Sequence, residues 1–300
     1  MPVKQTVSGV SVIVPHYDDL PNLVRCVAAL RAQTITPHEV LIVDNGSPCG
    51  PDAIRSALGG DDDGRIRLIF EAERGAGPAR NAGVAASSGE ILAFADGDVE
   101  VAEDWLERGR LAMALAPIVG GRVDVEPSGT APPTPIELWD MMFGFDAEKF
   151  LKHGGHLLTG NLFVRRAAFE EVGPFRNGIP EDTEWCQRAR RAGYTLTYDP
   201  TIVVTHPTLT RWDKMAARWR RMAREQYLWN SERRFGVLAY WIRSFAVLVS
   251  IVPHGLRVLT NPRIKADAKF PVIAILARVR FLRFASANQL VFFGPNGLSR

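Results

Sequence analysis

Short apolar runs alternate with helically spaced apolar residues through the first 210 positions. Runs at 10–15, 39–44, 65–71 and 90–96 have the length and β-branched content of buried strands. Between them, apolar residues repeat at helical spacing over 20–30, and two more helices are expected near 51–58 and 78–87. Alternating strands and helices predict an α/β fold with a mostly parallel sheet covered on both faces.

Polar side chains follow three of these strands directly. In open parallel sheets, ligands bind in the crevice outside the carboxyl ends of the strands. Any one of these groups, taken alone, has the alternative role of a loop or helix-capping residue. Their convergence at one sheet edge predicts a binding site there, formed by His16, Tyr17, Asp18, Asp44, Asn45, Asp96 and Asp98.

The segment Asp96, Gly97 and Asp98 places two carboxylates on either side of a residue that has no side chain. Both carboxylates are then able to reach one divalent ion and a ligand hydroxyl, and hard oxygen donors suit Mg²⁺ or Mn²⁺. The same tripeptide also occurs in ordinary turns. The preceding strand favours the metal hypothesis.

A second acidic pair, Glu181 and Asp182, begins a predicted helix that ends at Gly193. Asp182 is suited to capping this helix. The mutual repulsion of two adjacent carboxylates also raises the proton affinity of one of them, which general-base catalysis requires. Both roles remain open from the residues alone.

The order of these segments resembles the family-2 glycosyltransferases. The similarity covers about residues 8–208 and rests on "VSVIVPHYDD", "VLIVDNGS", "GPARNAGV", "ILAFADGDV", "TGNLFVRRAAFEEVGPF" and "PEDTEWCQRARRAGY". The resemblance implies a GT-A fold, a Rossmann-like α/β sheet flanked by helices, and a nucleotide-diphospho-sugar donor. A nucleotidyltransferase on a related fold would need a Gly-rich basic signature after the first strand, and "VPHYDDLPN" lacks one.

The resemblance also implies roles for single residues. On the donor side, Asp96 lies near the sugar nucleotide, Asp98 binds Mn²⁺ or Mg²⁺, and Arg80 lies near the nucleotide. Arg80 alternatively is a surface residue of its helix. The base and ribose are contacted by Pro15, His16, Tyr17 and Asp44.

On the acceptor side, the resemblance implies that Asp182 is the general base, with Glu181 and Glu184 orienting the acceptor. Gly160 and Asn161 line the sugar pocket, although a turn before a strand explains them nearly as well. His206 completes the metal site, and a loop hydrogen bond is its alternative.

Charged residues are distributed unevenly along the chain, with an excess of basic residues after position 208. Of 36 Lys and Arg and 33 Asp and Glu, residues 209–300 hold 17 basic and 4 acidic side chains. A basic amphipathic helix is predicted at 211–234, an apolar run interrupted only by Arg243 at 235–253, and a mixed basic and apolar helix at 270–294. This composition favours peripheral attachment to a membrane surface, with packing on the catalytic domain or an oligomer interface as alternatives. Nucleic acid binding explains the charge but not the aliphatic residues.

The three cysteines, Cys26, Cys49 and Cys186, form no CxxC motif and argue against a disulfide framework or a zinc site. The N-terminus lacks a secretory signal pattern, so a cytoplasmic location at the inner face of the cell membrane is expected.

We therefore predict a catalytic domain at 1–210, with a donor half at 8–125 and an acceptor half at 126–210, and a helical segment at 211–300. The predicted activity is metal-assisted, inverting transfer of a sugar to a glycan or lipid-linked acceptor in bacterial polysaccharide or glycolipid synthesis. The competing hypothesis is a non-catalytic scaffold.

Overall fold

A computed structural model describes residues 7–59, 64–129 and 131–297. The chain divides into two compact units. Unit 1 comprises Met1–Asp124, Asp146–Asn177 and Glu181–His206, and unit 2 comprises Val125–Phe145, Gly178–Pro180 and Pro207–Arg300. Residues 125–145 thus group with the C-terminal helices, whereas the predicted acceptor half ran from 126 to 210. The predicted boundary near 210 stays a prediction.

The sheet has eight strands in the spatial order β3-β2-β1-β4-β7-β6-β8-β5. The first four of these positions are parallel, and β7 pairs antiparallel with both β4 and β6. The α/β prediction is confirmed. The strands are β1 Val7–His16, β2 Glu39–Asp44, β3 Ile66–Phe70, β4 Gly89–Ala95, β5 Glu100–Val101, β6 Ile118–Glu126, β7 Asn161–Arg165 and β8 Thr197–Pro207.

The central parallel strands β1, β2 and β4 are buried on both faces, whereas β3 at the edge is partly exposed. Along β1, Val12 and Val14 pack into one apolar cluster, and Ile13 between them packs into another. Successive side chains of a strand point to opposite faces, so the run without polar residues fills two cores. Helices cover the sheet of unit 1: α1 Leu20–Arg31, α2 Gly50–Leu58, α3 Ala76–Ala86, α4 Trp105–Ala112, α6 Ala147–Lys149, α7 Arg166–Val172 and α8 Glu181–Arg191.

Unit 2 is built from helices. They are α5 Pro135–Phe143, α9 Trp212–Ser231, α10 Gly236–Val249, α11 Ile251–Thr260 and α12 Ala266–Phe293. Their shared core contains Trp139, Met215, Val258, Leu276 and Val279. The basic run at 211–234 therefore forms a helix, as its periodicity predicts.

One side of α10 and α11 is apolar and exposed. The segment Gly236–Thr260 has a mean hydropathy of 1.6 and, by length and composition alone, is able to cross a membrane. Its exposed large side chains recur at alternating intervals of four and three residues, so they lie on one face. We call this face the apolar stripe; it consists of Leu238, Ile242, Phe245, Val249, Val252, Leu256 and Leu259.

Candidate active site

The ends of β1 and β2 bring His16 and Asp44 side by side, because these two residues are partners in the parallel register. Both are buried. The Asp44 carboxylate accepts hydrogen bonds from the Ser47 backbone N–H at 3.1 and 3.3 Å. Burial lowers the pKa of His16 although Asp44, Asp19 and Asp18 oppose this. Its Nε2 atom has no hydrogen-bond partner among the described residues, so it is available to a ligand.

Pro15 and Tyr17 border the same edge of the sheet. The Tyr17 ring is 50% exposed, and the Arg74 guanidinium lies 4.3 Å from its centroid. A Cβ atom at Gly97 would lie 3.0 Å from the Pro15 carbonyl oxygen. The residue between Asp96 and Asp98 is therefore a glycine because the backbone of β1 approaches it closely.

The buried guanidinium of Arg80, on α3, joins the two acidic segments. Its Nη2 donates to Asp96 Oδ1 at 2.6 Å, and its Nη1 donates to Glu181 Oε1 at 2.7 Å. Burial alone would lower the pKa of Arg80, but these two carboxylates outweigh it and the pKa is raised. Arg80 thus ties the Asp96 turn to the first residue of α8.

Asp182 lies next to this ion triad. Its Oδ1 accepts hydrogen bonds from the backbone N–H of Thr183 at 2.6 Å and from the Thr183 hydroxyl at 3.1 Å. Desolvation by burial, followed by the negative charge of Glu181, raises the pKa of Asp182, and His156 acts in the opposite direction. A carboxyl group with a raised pKa beside another carboxylate has the properties of a general base.

His156 was not predicted as a site residue. Its ring stacks on Phe150 with centroids 5.4 Å apart, and the next residue, Leu157, donates its backbone N–H to Cys186 Sγ at 3.4 Å. Cys186 is one helical turn beyond Asp182, which brings His156 to the side of α8. The second of two closely spaced histidines, His153 and His156, just before the "TGN" segment was the available sequence signal.

Gly160 borders the Asp96 carboxylate, and the Asn161 side chain joins the sheet. A Cβ atom at Gly160 would lie 2.7 Å from Asp96 Oδ2. Asn161 Oδ1 accepts from Trp105 Nε1 at 2.9 Å, while its Nδ2 donates to the carbonyls of Arg122 and Ile202 at 2.8 and 3.0 Å. Gly160 thus keeps space beside Asp96, whereas Asn161 links neighbouring strands; acceptor contact by either residue stays a prediction.

Glu184 is paired with arginines. It is buried, accepts from Arg188 Nε at 2.8 Å, and lies 3.9 Å from Arg176 Nη1. These ion pairs connect Glu184 to two arginines of unit 1. Its predicted role in orienting the acceptor stays a prediction.

Asp98 and His206 approach each other closely, with His206 Nε2 at 3.4 Å from Asp98 Oδ2. A carboxylate oxygen and an imidazole nitrogen at this separation fit the preferences of Mn²⁺. Within the described part of the chain, no group of three or more His, Cys, Asp or Glu side chains is arranged to hold a metal. A metal bound here would therefore complete its coordination with oxygens that are not among these side chains.

The class of protein to which this sheet and its acidic edge belong, the glycosyltransferases, is shown by the relatives of this chain. The family model described as Glycosyl transferase family 2 matches residues 11–173. The chain is also similar to Glycosyltransferase AglE of Haloferax volcanii, with 35% identity over 251 residues, covering 80% of this chain and 82% of that protein. The chain belongs to glycosyl transferase family 2, as its motifs predicted.

Solved structures resemble most of the chain in fold. Mannosyltransferase PcManGT from Pyrobaculum calidifontis, in complex with GDP-Man and Mn²⁺, superposes with a TM-score of 0.56 at 19% identity, covering 94% of this chain and 74% of that one. TarS from S. aureus gives a TM-score of 0.51 at 16% identity, covering 73% and 65%. The predicted GT-A fold is confirmed.

Proposed function

We propose that this protein transfers a sugar from a nucleotide-diphospho-sugar to a hydroxyl group of a glycan or lipid-linked acceptor, with inversion at the anomeric carbon and with a divalent metal. The carrying observation is the ion triad: the Arg80 guanidinium holds Asp96 and Glu181 at 2.6 and 2.7 Å. It thereby fixes the Asp96-Gly97-Asp98 turn beside the helix whose second residue is the proposed base, Asp182. The GDP-Man and Mn²⁺ bound to the similar PcManGT structure support a donor of this class.

The proposed base is Asp182. The acceptor hydroxyl transfers its proton to an Asp182 carboxylate oxygen while the acceptor oxygen forms a bond to the anomeric carbon. The bond between that carbon and the diphosphate oxygen breaks, and the nucleoside diphosphate leaves. Because attack and departure take place on opposite faces in a single displacement, the configuration inverts. The raised pKa of Asp182 suits it to receive this proton.

The donor half is assigned by proximity to the sheet edge. Pro15, His16, Tyr17 and Asp44 are proposed to surround the base and ribose, and the orphaned His16 Nε2 supports a polar ligand there. Asp96 is proposed to contact the sugar nucleotide. The Arg80 guanidinium already binds two carboxylates. We propose that Arg80 lies beside the diphosphate and also acts on the nucleotide by holding Asp96 in position.

Asp98 and His206 are proposed to hold Mn²⁺ or Mg²⁺, and the 3.4 Å separation of their ligand atoms supports this assignment. When bound, the metal would neutralise charge that develops on the departing diphosphate. Glu181, Glu184, Gly160 and Asn161 stay as proposed acceptor-side residues, with Gly160 the best supported because it preserves space beside Asp96.

Unit 2 is proposed to attach the enzyme peripherally to the cytoplasmic face of the cell membrane. The apolar stripe supports this, since seven large apolar side chains on one helical face are exposed. The excess of basic residues after position 208 adds attraction to an anionic leaflet. Arg243 is exposed within the same segment, which favours a helix lying on the membrane over one crossing it.

The proposal is tested by incubating the purified full-length protein with a panel of nucleotide-diphospho-sugars and measuring released nucleoside diphosphate. We expect release from one class of donor, loss of release in EDTA, and loss in Asp182→Asn. A protein that releases no nucleotide from any donor, with or without membrane lipid, would instead be a non-catalytic scaffold.

A further inference from the structure

Helix α12 carries two arginines at positions that its periodicity assigns to the interior of unit 2. Its inward side is otherwise apolar except for Ser286, with Val272, Leu276, Val279, Ala287 and Leu290 all buried. Positions 280 and 283 continue this row at helical spacing. They are occupied by Arg280, which is only 9% exposed, and by Arg283, which is partly buried.

Neither of these two arginines, which we call the arginine pair, has a carboxylate partner within the described residues. In unit 2, Asp213 pairs with Arg211, and Glu225 pairs with Arg221, both at 2.9 Å. The buried Asp140 lies 3.8 Å from Arg218. The positive charge of the arginine pair is therefore not neutralised by these groups.

The surroundings of the arginine pair are aromatic. The Arg283 guanidinium lies 4.4 Å from the centroid of the Trp219 ring, and burial, followed by repulsion from Arg280, lowers the pKa of Arg283 to about 10. The Nε atom of Arg280 is buried and has no hydrogen-bond partner within residues 7–59, 64–129 and 131–297. A buried donor without an acceptor is unfavourable, and two like charges in an apolar interior are more so.

An anion would relieve both penalties. Guanidinium groups match the oxygen geometry of phosphate and form paired hydrogen bonds with it. The residue after Arg283, Phe284, packs against Phe245 of the apolar stripe, with ring centroids 5.0 Å apart. The arginine pair thus lies on the same helix as a residue that packs against the apolar stripe, an arrangement that suits a molecule with a phosphate head and a hydrocarbon chain.

We propose that Arg280 and Arg283 form a binding site for a phosphate group, supplied by a lipid headgroup or by free phosphate. The lipid source rests on the proposed membrane contact of unit 2, whereas the site itself rests only on the contacts of the arginine pair. Nothing in the proposed transfer reaction requires this site, so its loss is separable from loss of donor hydrolysis.

The first test measures thermal unfolding of the full-length chain with inorganic phosphate at constant ionic strength. We compare wild type with the double variant Arg280→Gln/Arg283→Gln and with Arg220→Gln/Arg224→Gln, which removes the same charge from exposed positions of α9. Near 100 times the dissociation constant, phosphate should raise the midpoint of wild type and of the exposed control by roughly 5–10 °C. It should leave the Arg280/Arg283 variant unchanged, and equal shifts in all three proteins would overturn the proposal.

A second double variant tests the site in case the two Gln substitutions prevent folding. Arg280→Met/Arg283→Met replaces two unpaired charges with apolar side chains, so we expect a higher unfolding midpoint than wild type without phosphate and no response to phosphate. A Met variant that phosphate stabilises as much as wild type would also contradict the site.

The second test is co-sedimentation with vesicles of neutral galactolipid containing phosphatidic acid. Loss of the arginine pair should weaken binding by about tenfold more than loss of the two exposed arginines. If the wild-type protein does not bind vesicles but its unfolding midpoint rises with phosphate, the phosphate group comes from free phosphate and the proposed membrane contact is wrong. If all variants bind vesicles equally and phosphate has no effect, the membrane contact stands and the phosphate site is wrong.

Discussion

Replacing Arg80 by Met should destabilise the fold, because it leaves two carboxylates without their shared cation. The Arg80 side chain is 4% exposed, Glu181 is 18% exposed and Asp96 is 38% exposed. Removing one partner of a fully buried ion pair costs about 3–5 kcal/mol. The exposed Asp96 contact is screened by water and is worth about 1 kcal/mol, and the more buried Glu181 contact about 2 kcal/mol.

The expected loss is therefore about 3 kcal/mol, which corresponds to a fall of about 6–12 °C in the unfolding midpoint. Urea unfolding at neutral pH measures it. Arg108→Met, which removes an exposed pair with Asp104, is the matched control and should change little. Adding Glu181→Gln to the Arg80 variant should cost less than adding it to wild type, since its partner is already gone. The reasoning is refuted if Arg80→Met stays within about 1 kcal/mol of wild type, or if Glu181→Gln costs the same in both backgrounds.

The remaining predictions concern the reaction and its pH dependence. Asp182→Asn should lower turnover by roughly two to four orders of magnitude with donor affinity nearly kept, as single-turnover kinetics and donor titration will show. Because the pKa of Asp182 is raised, the wild-type rate should fall on acidification through a pKa above that of an ordinary aspartate, and a profile flat across that range would contradict the base. Asp98→Asn should abolish metal-dependent donor binding, measured by calorimetry with and without Mn²⁺, and undiminished binding would exclude the proposed ligand. Gly160→Ala should raise the donor KM, because its methyl group would lie 2.7 Å from Asp96 Oδ2; an unchanged KM would show that Asp96 moves freely.

The raised pKa of Asp182 also makes the free energy of unfolding depend on pH. The folded state binds a proton at Asp182 more tightly than the unfolded state does, so the contribution of this group to stability is present at low pH and is lost as pH rises through the raised pKa. Asp182→Asn removes that dependence. Urea unfolding of both proteins across this range should show the wild type losing stability relative to the variant, and parallel curves would contradict the assignment.

The sequence predicted the edge of the sheet well because parallel strands have one direction. Once 10–15, 39–44 and 90–96 are recognised as neighbouring strands, His16, Asp44 and Asp96 must emerge at the same edge. The contacts of Arg80 were not predictable in the same way, since Glu181 lies 101 positions further along the chain. Only the packing of α3 and α8 brings them together.

The sequence also did not predict the direction in which individual side chains point. The motif containing Asn161 marks the right place, but its amide bonds into the sheet through Trp105 and two carbonyls, which no pattern of residue types reveals. The mixed composition of 270–294 predicted a basic and apolar helix but not which of its arginines face inward. In the structure Arg280 points inward and Arg278 is exposed, because the helical phase relative to Leu276 and Leu290 decides the face.

The central claim is a single displacement assisted by Asp182, and the anomeric configuration of the first product tests it most directly. The full-length protein, incubated with the donor that it hydrolyses and with Mn²⁺, is followed by proton NMR from the first turnover. The account predicts that the anomeric proton signal of the product appears in the configuration opposite to that of the donor, and that Asp182→Asn suppresses it. A product that retains the donor configuration would contradict the mechanism proposed for this site.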